Sequence, residues 1–270
     1  MKISHEVPIC LLEDSLDFND YQYCLPHLLD QDEDYKNFFY KVKQQGVYTI
    51  MDNSLHELGH AYDRSRLLYW IDELKPNEFI VPDVWQDTTA SIVNAREWSK
   101  VILPKEVTKV AVVQARNFLD AVLCYQTYKD LGYKKIAFSY GASYYKEHFP
   151  HPSSAVATAV GRAYVVSKLN KDGVIKDTDN VHLLGCAVPQ EFIYYKDMPF
   201  ITTIDTSNPI MSAIDGNHYD KFGLINKPKS KIDDVLNKEY FVEGRLIHNI
   251  NSFRSINEAF LRKNWLTKLK

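Results

Sequence analysis

Short apolar runs, each leading to a polar residue or a glycine, recur along this chain. Five of them lead to groups suited to active-site chemistry: Val47–Met51 to Asp52, Phe79–Pro82 to Asp83, Val110–Val113 to Gln114, Ile136–Phe138 to Gly141, and Phe200–Ile204 to Asp205. Short runs rich in β-branched residues are typical of parallel strands that are buried on both faces. In a (β/α) barrel, the carboxyl ends of such strands carry the catalytic residues. The pattern therefore predicts an enzyme whose site lies at one end of a parallel sheet.

The apolar runs alternate with helical patterns, which favours an α/β fold. Strands are predicted at Lys2–Val7, Val47–Asp52, Phe79–Asp83, Lys109–Gln114, Lys135–Phe138, Val181–Cys186 and Phe200–Asp205, with a weaker one at Phe222–Ile225. Asp87 or Thr88 is a candidate cap for one helix, Asn117 for the next, and Gly132 a candidate stop. This number of strands favours a TIM (β/α)8 barrel that spans residues 1–270 as a single domain. An open doubly wound sheet is the alternative.

Two segments depart from this alternation in composition. Residues 13–43 are acidic and aromatic and match no βα unit, so we interpret them as an N-terminal insertion or a cap near the site. The chain has a net charge of −3, but residues 221–270 contain 11 Lys and Arg against 5 Asp and Glu. This basic C-terminal part, with a net charge of +6, is either a surface that contacts phosphates or a solvated helical tail.

The composition narrows the class of protein further. Hydrophobic residues make up 45% and charged residues 25%, and no apolar stretch has the length that crosses a membrane. The N-terminal residues Met1–Glu6 lack the apolar region of a secretion signal. The four cysteines are scattered without a Cys-x-x-Cys pair, which indicates a reducing compartment and argues against a four-cysteine zinc site. We expect a cytoplasmic protein without a membrane partner.

One motif points to a different chemistry. His56-Glu57-Leu58-Gly59-His60 matches the H-E-x-x-H pattern of zinc proteases. On a helix, that spacing places both imidazoles on one face, with the glutamate as the base for a zinc-bound water. The motif follows directly on a predicted strand end, however, and no third ligand lies in an extended family signature. A zinc hydrolase that uses His56 and His60 is therefore kept as a less favoured alternative.

Taken together, the strand-end residues resemble those of the tRNA-guanine transglycosylase family, and most closely its short, phage-type DNA-guanine transglycosylase branch. The similarity extends from about Val47 to Asn249, in short segments. These segments are Met51-Asp52-Asn53-Ser54, similar to Asp-Ser-Gly-Gly; Val113-Gln114, similar to Val-Gln-Gly-Gly; Ser139-Tyr140-Gly141, in place of a Gly-rich turn; His182 to Pro189, similar to Leu-x-Gly-x-Gly-x-Pro; and Ile204 to Pro209, similar to Phe-Asp-x-x-x-Pro. The order and spacing are more specific than any single segment.

The resemblance implies an activity and a role for each residue. Such enzymes replace guanine by a 7-deazaguanine, such as the 7-cyano or 7-aminomethyl base (preQ0- or preQ1-like), through a covalent Asp-glycosyl intermediate. It implies DNA and the free 7-deazaguanine base as partners, and no cofactor. The implied catalytic residues are Asp205 as nucleophile and Asp52 as the proton-handling acid. The implied substrate-binding residues are Asp83, Gln114, Gly141, Tyr140, Asn53 and Ser54.

From the residues alone, several of these positions have structural alternatives. An aspartate before Thr-Ser-Asn-Pro, as at Asp205, is equally a helix cap or an Asx-turn, and Asp52 before Asn-Ser is a plausible turn former. Asp87 competes with Asp83 as the base-binding carboxylate unless it caps the next helix. Trp85, Tyr140 or Tyr144 could stack on a base, although rim aromatics are more often packing residues.

The chain also departs from the family. No cysteine follows Cys186, so the Cys-x-Cys-x-x-Cys zinc cluster of the tRNA enzymes is missing, and no bound metal is expected. The chain is shorter than those enzymes, which favours DNA over tRNA, with the queuine tRNA-ribosyltransferase reaction as the alternative. The candidate phosphate-contacting residues are Lys227, Lys229, Lys231, Arg245 and Arg254. Oligomeric state is open.

Overall fold

The computed structural model describes residues 1–221, 223–224, 226–240 and 244–261. The strands are β1 (Lys2–His5), β2 (Gln22–Cys24), β3 (Thr49–Met51), β4 (Glu78–Ile80), β5 (Thr108–Val113), β6 (Lys135–Phe138), β7 (Val181–Leu183) and β8 (Ile201–Thr206). They form one sheet in the order β1-β8-β7-β6-β5-β4-β3-β2, and every neighbouring pair is parallel. The result is an eight-stranded, nearly closed barrel, which confirms the predicted TIM (β/α)8 class.

The two ends of the sheet, β1 and β2, meet just ahead of β2. The backbone N–H of Asp20 donates to the carbonyl of Ile3 at 2.9 Å. The Asp20 carboxylate in turn accepts from the N–H of Ile3 at 2.8 Å. A side-chain hydrogen bond thus takes the place of a ladder contact where the barrel closes.

The expectation that residues 13–43 form an insertion or cap is wrong. Gln22–Cys24 is the second barrel strand, paired in register with Thr49–Met51, and the segment after it supplies barrel helices. The pattern was missed because β2 has only three residues and begins with a buried glutamine. Gln22 is satisfied locally, since its side-chain oxygen accepts from Ser15 at 3.1 Å. Acidic and aromatic residues flank the strand because they lie on the helices Leu12–Phe18 and Glu33–Gln44.

The helices mostly lie between the strands. They are α1 (Leu12–Phe18), α2 (Pro26–Gln31), α3 (Glu33–Gln44), α4 (Leu55–Leu58), α5 (Arg64–Leu74), α6 (Thr88–Ser99), α7 (Phe118–Asp130), α8 (Tyr145–His148), α9 (Ser154–Lys171), α10 (Asn208–Ile214), α11 (Ile232–Val235) and α12 (Gly244–Leu261), with 3₁₀ turns at Ile9–Leu11 and Pro189–Tyr195. Asp87 caps α6 by accepting from the N–H of Ala90, and Asn117 caps α7 by accepting from Asp120. Both predicted caps are confirmed. Because Asp87 caps α6, Asp83 is the remaining candidate for the base-binding carboxylate. The segment after Pro189 is a 3₁₀ helix.

Apolar side chains form most of the core of the barrel and of the surrounding layer of helices. Ile50, Phe79, Val110 and Phe138 are completely buried. At the amino ends of β4 and β6, Lys135 donates to Glu78 at 2.6 and 2.9 Å, and both side chains are almost fully buried. The weak strand predicted at Phe222–Ile225 falls partly on residues outside the described set, as does the end of the basic C-terminal part, residues 262–270.

Candidate active site

Asp205 lies near the carboxyl end of β8 and is 4% exposed. Each of its carboxylate oxygens contacts one protein nitrogen. Oδ1 lies 2.9 Å from Nε2 of His182, and Oδ2 accepts from the backbone N–H of Gly185 at 3.0 Å. Neither contact is a cap or an Asx-turn of the following segment, so the structural alternative for Asp205 does not apply. The carboxylate is held in a fixed orientation at the end of the barrel where active sites of this fold lie.

His182, in the middle of β7, is held between two partners. Its Nδ1 lies 2.8 Å from the hydroxyl of Thr203, opposite its contact with Asp205. Burial lowers the pKa of His182, against the opposing effect of the Asp205 charge. A neutral imidazole that faces a carboxylate carries its proton on Nε2, and Nδ1 then accepts from the threonine hydroxyl. We therefore assign a neutral donor to His182 rather than one member of an ion pair.

Asp52 follows directly on β3 and is also buried. Its Oδ1 accepts from the hydroxyl of Tyr23 at 3.0 Å, and its Oδ2 from the N–H of Ser54 at 2.9 Å. The second contact is the Asx-turn expected for this sequence. Burial raises the pKa of Asp52 to about 7, the charges of Asp205 and Asp83 add to the rise, and the backbone N–H groups of Asn53 and Ser54 oppose it. The turn former is thus also a carboxyl that can exchange a proton near neutral pH.

Tyr23, in the strand that the sequence pattern missed, connects the two aspartates. Its ring lies parallel to that of His182, with an interplanar angle of 13° and a centroid separation of 6.1 Å. Its hydroxyl bonds Asp52, and His182 bonds Asp205. The two carboxyls therefore belong to one buried assembly across the barrel mouth, between β3 and β8.

A second polar chain joins the ends of β3, β4 and β5. Asn53 donates from its amide nitrogen to Asp83 at 2.7 Å, and Gln114 donates to the other oxygen of Asp83 at 2.6 Å. The oxygen of Gln114 accepts from the N–H of Gln86 at 3.1 Å. Burial raises the pKa of Asp83 to about 6, against the lowering effect of the two amide donors. Because each partner fixes the next, the donor and acceptor ends of Gln114 have a defined direction.

The loops after β4 and β6 meet above Gln114. Trp85, which is 44% exposed, lies beside Gly141. A Cβ at residue 141 would come within 3.4 Å of the indole and would need a backbone φ of +84°, so only glycine fits without strain. The hydroxyl of Ser143 donates to Gln86 at 2.7 Å and fastens the two loops together. The exposed indole is therefore a flat apolar surface at the rim, whereas Tyr144 is buried and unable to stack on a ligand.

The other implied base-binding residues have supporting positions. The Ser54 hydroxyl lies 2.7 Å from Nδ1 of His27, and both residues are buried. The Asn53 amide is used by Asp83 and by the carbonyl of Val81. Tyr140 is half-buried, with the guanidinium of Arg162 at 5.4 Å and the Lys227 ammonium at 5.6 Å from its ring centroid. The polar groups of Ser54 and Asn53 thus have protein partners, and Tyr140 has two cations near its ring.

The five basic residues do not form one patch with one role. Lys227, Lys229 and Lys231 lie on the exposed loop between α10 and α11, which the Asp215 carboxylate holds by accepting from the N–H groups of Lys229 and Ser230. Lys227 extends to the barrel mouth through its contact with Tyr140. Arg254, on α12, instead bonds Asp20 and the carbonyl of Phe18, and Arg245 is half-buried in the first turn of α12. Of the five, the three lysines are the exposed ones, and Lys227 is the one with a contact at the barrel mouth.

Comparison with known proteins adds no relative. No family model matches this chain, and no curated protein matches it. The functional interpretation accordingly depends on the geometry of the site and on the short motifs at the strand ends.

The H-E-x-x-H motif does not keep the geometry that zinc would need. The helix α4 ends at Leu58, and Gly59 turns the chain with a φ of +75° before the exposed His60. The two imidazoles therefore do not share a helical face. Within the described ranges, no group of three or more His, Cys, Asp or Glu side chains is arranged to hold a metal ion.

Among the residues that the structure describes, no helix is long and apolar enough to span a bilayer.

Three residues of the site were not singled out by their sequence pattern: Tyr23, His182 and Arg162. His182 is a polar residue inside an otherwise apolar strand, and Arg162 lies among small apolar residues in α9. A buried polar residue in such a setting needs a partner, and that was the available signal. Tyr23 gave none, because its strand was not recognised.

Proposed function

We propose that this protein is a base-exchange transglycosylase that replaces guanine in DNA by a 7-deazaguanine. The observation that carries the proposal is a pair of buried carboxyls in different environments at one barrel mouth. Asp205 has both oxygens oriented by donors, whereas Asp52 has a pKa raised to about 7. Two carboxyls held in such different environments are suited to separate roles as nucleophile and acid.

The reaction needs two displacements at C1′ of the target nucleoside. In the first, an Asp205 oxygen forms a bond to C1′ while the bond from C1′ to the guanine nitrogen breaks, and the protonated form of Asp52 supplies the proton to the departing base. In the second, the incoming base gives its N9 proton to Asp52, attacks C1′ and releases Asp205. Two inversions retain the original configuration, as in retaining glycosidases.

Base recognition falls to the chain formed by Asp83 and Gln114. An ionised Asp83 accepts from guanine N1–H and the exocyclic amine, and the second N–H of the Gln114 amide donates to O6. 7-Deazaguanines keep this edge, so guanine and its replacement can occupy the same site in turn. Trp85, exposed at the rim beside Gly141, offers a face on which a purine can stack.

DNA is the favoured polymer because the strand-end segments most resemble those of the DNA-modifying branch, and three exposed lysines lie together on the loop between α10 and α11. A base inside a duplex has to be turned out of the stack before C1′ becomes accessible. Lys227, Lys229 and Lys231 would contact the adjacent phosphates without reading the sequence. The same exchange on tRNA is the alternative within the enzyme class.

The test is exchange of radiolabelled guanine into matched DNA and tRNA, with release of unlabelled base. We expect label in DNA, a protein–DNA adduct that survives denaturation, and loss of both in Asp205→Ala. The matched control is Asp17→Ala, because Asp17 is an exposed aspartate on α1. Label in tRNA alone would favour the alternative polymer. Exchange that persists in Asp205→Ala would reject the mechanism.

A further inference from the structure

Arg162 is a fully buried charge with no part in the chemistry described above. It lies in α9, and its side chain is 0% exposed. Its Nε and Nη2 donate to the two oxygens of Glu191 at 2.7 and 3.0 Å, and Glu191 also accepts from the hydroxyl of Tyr195. Burying an ion pair costs several kcal/mol of desolvation, and such pairs are often replaceable by apolar residues without loss of stability. A specific structural duty would account for this pair.

The remaining N–H groups of the guanidinium bind backbone carbonyls next to the site. Nη1 donates to the carbonyl of Leu184 at 2.7 Å, and Nη2 to the carbonyl of Gly185 at 2.7 Å. Arg162 therefore binds the peptide carbonyls on both sides of Gly185. Such charge-assisted hydrogen bonds are stronger and more directional than neutral ones.

The geometry of the peptide unit carries this constraint to Asp205. In a planar trans peptide, the C=O and the N–H of the next residue point in opposite directions. With the Leu184 carbonyl turned towards Arg162, the N–H of Gly185 must point the other way, and it meets Oδ2 of Asp205 at 3.0 Å. Glycine is favoured there, because a φ of +62° strains other residues and a Cβ would lie 3.3 Å from that of Tyr140.

We propose that Arg162 is a positioning residue for Asp205, acting through the Leu184–Gly185 peptide. The guanidinium holds the peptide, the peptide N–H holds one carboxylate oxygen, and His182 holds the other. Glu191 keeps the guanidinium ionised and in place. The catalytic consequence depends on the function proposed above, but the structural chain from Arg162 to Asp205 does not.

The structural chain is tested on the Gly185 amide by NMR. The dipeptide Leu-Gly occurs only at residues 58–59, 131–132 and 184–185, so ¹³C-leucine and ¹⁵N-glycine labelling selects three amide signals. We expect the Gly185 proton to resonate downfield of the other two, and to lose that position in Asp205→Ala. The same loss is expected in Arg162→Lys, because a lysine has one ammonium and cannot hold both flanking carbonyls and Glu191.

The catalytic part is tested by the kinetics of the same variants. Arg162→Lys should lower kcat for exchange by roughly 100-fold, the effect of a misplaced reacting group, and should leave KM for DNA unchanged. The matched control is the pair Lys135→Met with Glu78→Gln, which removes a buried ion pair elsewhere in the barrel. It should leave the Gly185 signal and kcat unaltered.

Each outcome bears on the proposal. If Arg162→Lys does not fold, Arg162→Met with Glu191→Gln removes both charges and leaves none uncompensated, and the same loss of the Gly185 signal is expected. A Gly185 signal that stays in place in the folded Arg162 variant, or in Asp205→Ala, overturns the proposal. If the variants show the expected NMR changes but the wild-type protein has no exchange activity, the positioning role is supported and the proposed function is rejected.

Discussion

Because the pKa of Asp52 is raised, we expect the free energy of unfolding to depend on pH, whatever the activity of the protein. Asp52→Asn keeps the size of the side chain and its tendency to form the turn, but removes the ionisable group. In the wild type, the folded protein binds the Asp52 proton more tightly than the unfolded chain does. Asp52 therefore stabilises the folded state most at low pH, and this contribution is lost as the pH rises from about 4 to about 7. The Asn variant lacks this dependence.

The magnitude follows from the shift. A rise from 3.8 to about 7 corresponds to about 4 kcal/mol over the whole range, as an upper limit, since one pKa unit is worth about 1.4 kcal/mol. Between pH 5 and pH 8 the wild type should lose about 2–3 kcal/mol relative to Asp52→Asn. The absolute offset between the two proteins is a poorer measure, because the Asn amide would face either the hydroxyl of Tyr23 or the N–H of Ser54. An unmatched pair of donors costs about 1–3 kcal/mol at every pH.

The assay is urea unfolding of both proteins at half-unit steps from pH 5 to pH 8, at constant ionic strength. Asp17→Asn, on the exposed side of α1, controls for the loss of one carboxylate from the net charge. The quantity compared is the difference in free energy of unfolding between variant and wild type as a function of pH. A difference that stays constant within about 0.5 kcal/mol, the usual limit for surface substitutions, would refute the raised pKa.

Three further predictions concern function. Tyr23→Phe keeps the ring contact with His182 but removes a hydrogen-bond donor from the charged form of Asp52. The pKa that Asp52 contributes to the pH–rate profile should therefore rise, and an unchanged profile would contradict the contact between Tyr23 and Asp52. Exchange should survive extensive chelation, since the chain has no Cys-x-Cys-x-x-Cys cluster to bind structural zinc. Activity restored only by added zinc would contradict this. Changing Lys227, Lys229 and Lys231 together should weaken DNA binding for all sequences and flatten its salt dependence, as measured by competition with matched tRNA at several salt concentrations. An unaltered salt slope would count against the DNA interpretation.

Most of the barrel could be predicted from local patterns, because parallel strands buried on both faces are marked by continuous apolar runs. Seven of the eight strands coincide with predicted ones. The helix caps at Asp87 and Asn117 were equally legible, since capping is a contact within four residues. The exception is β2, whose three residues, Gln22–Cys24, carry no apolar run. Its place is fixed by pairing with β3 and by the satisfaction of Gln22 through Ser15, which are contacts that a local window does not contain.

The site divides in the same way. The sequence alone determined which polar residues stand at the strand ends, because the strand period and the parallel fold bring those ends to one face. Only the tertiary structure decided how they act. His182 contacts Asp205, Tyr23 stacks on His182, and Arg162 bonds the peptide before Gly185. In each case the two residues come from different strands, helices or loops. Burial then sets the proton affinity of Asp52, and burial depends on the whole fold around a residue rather than on its neighbours in the chain.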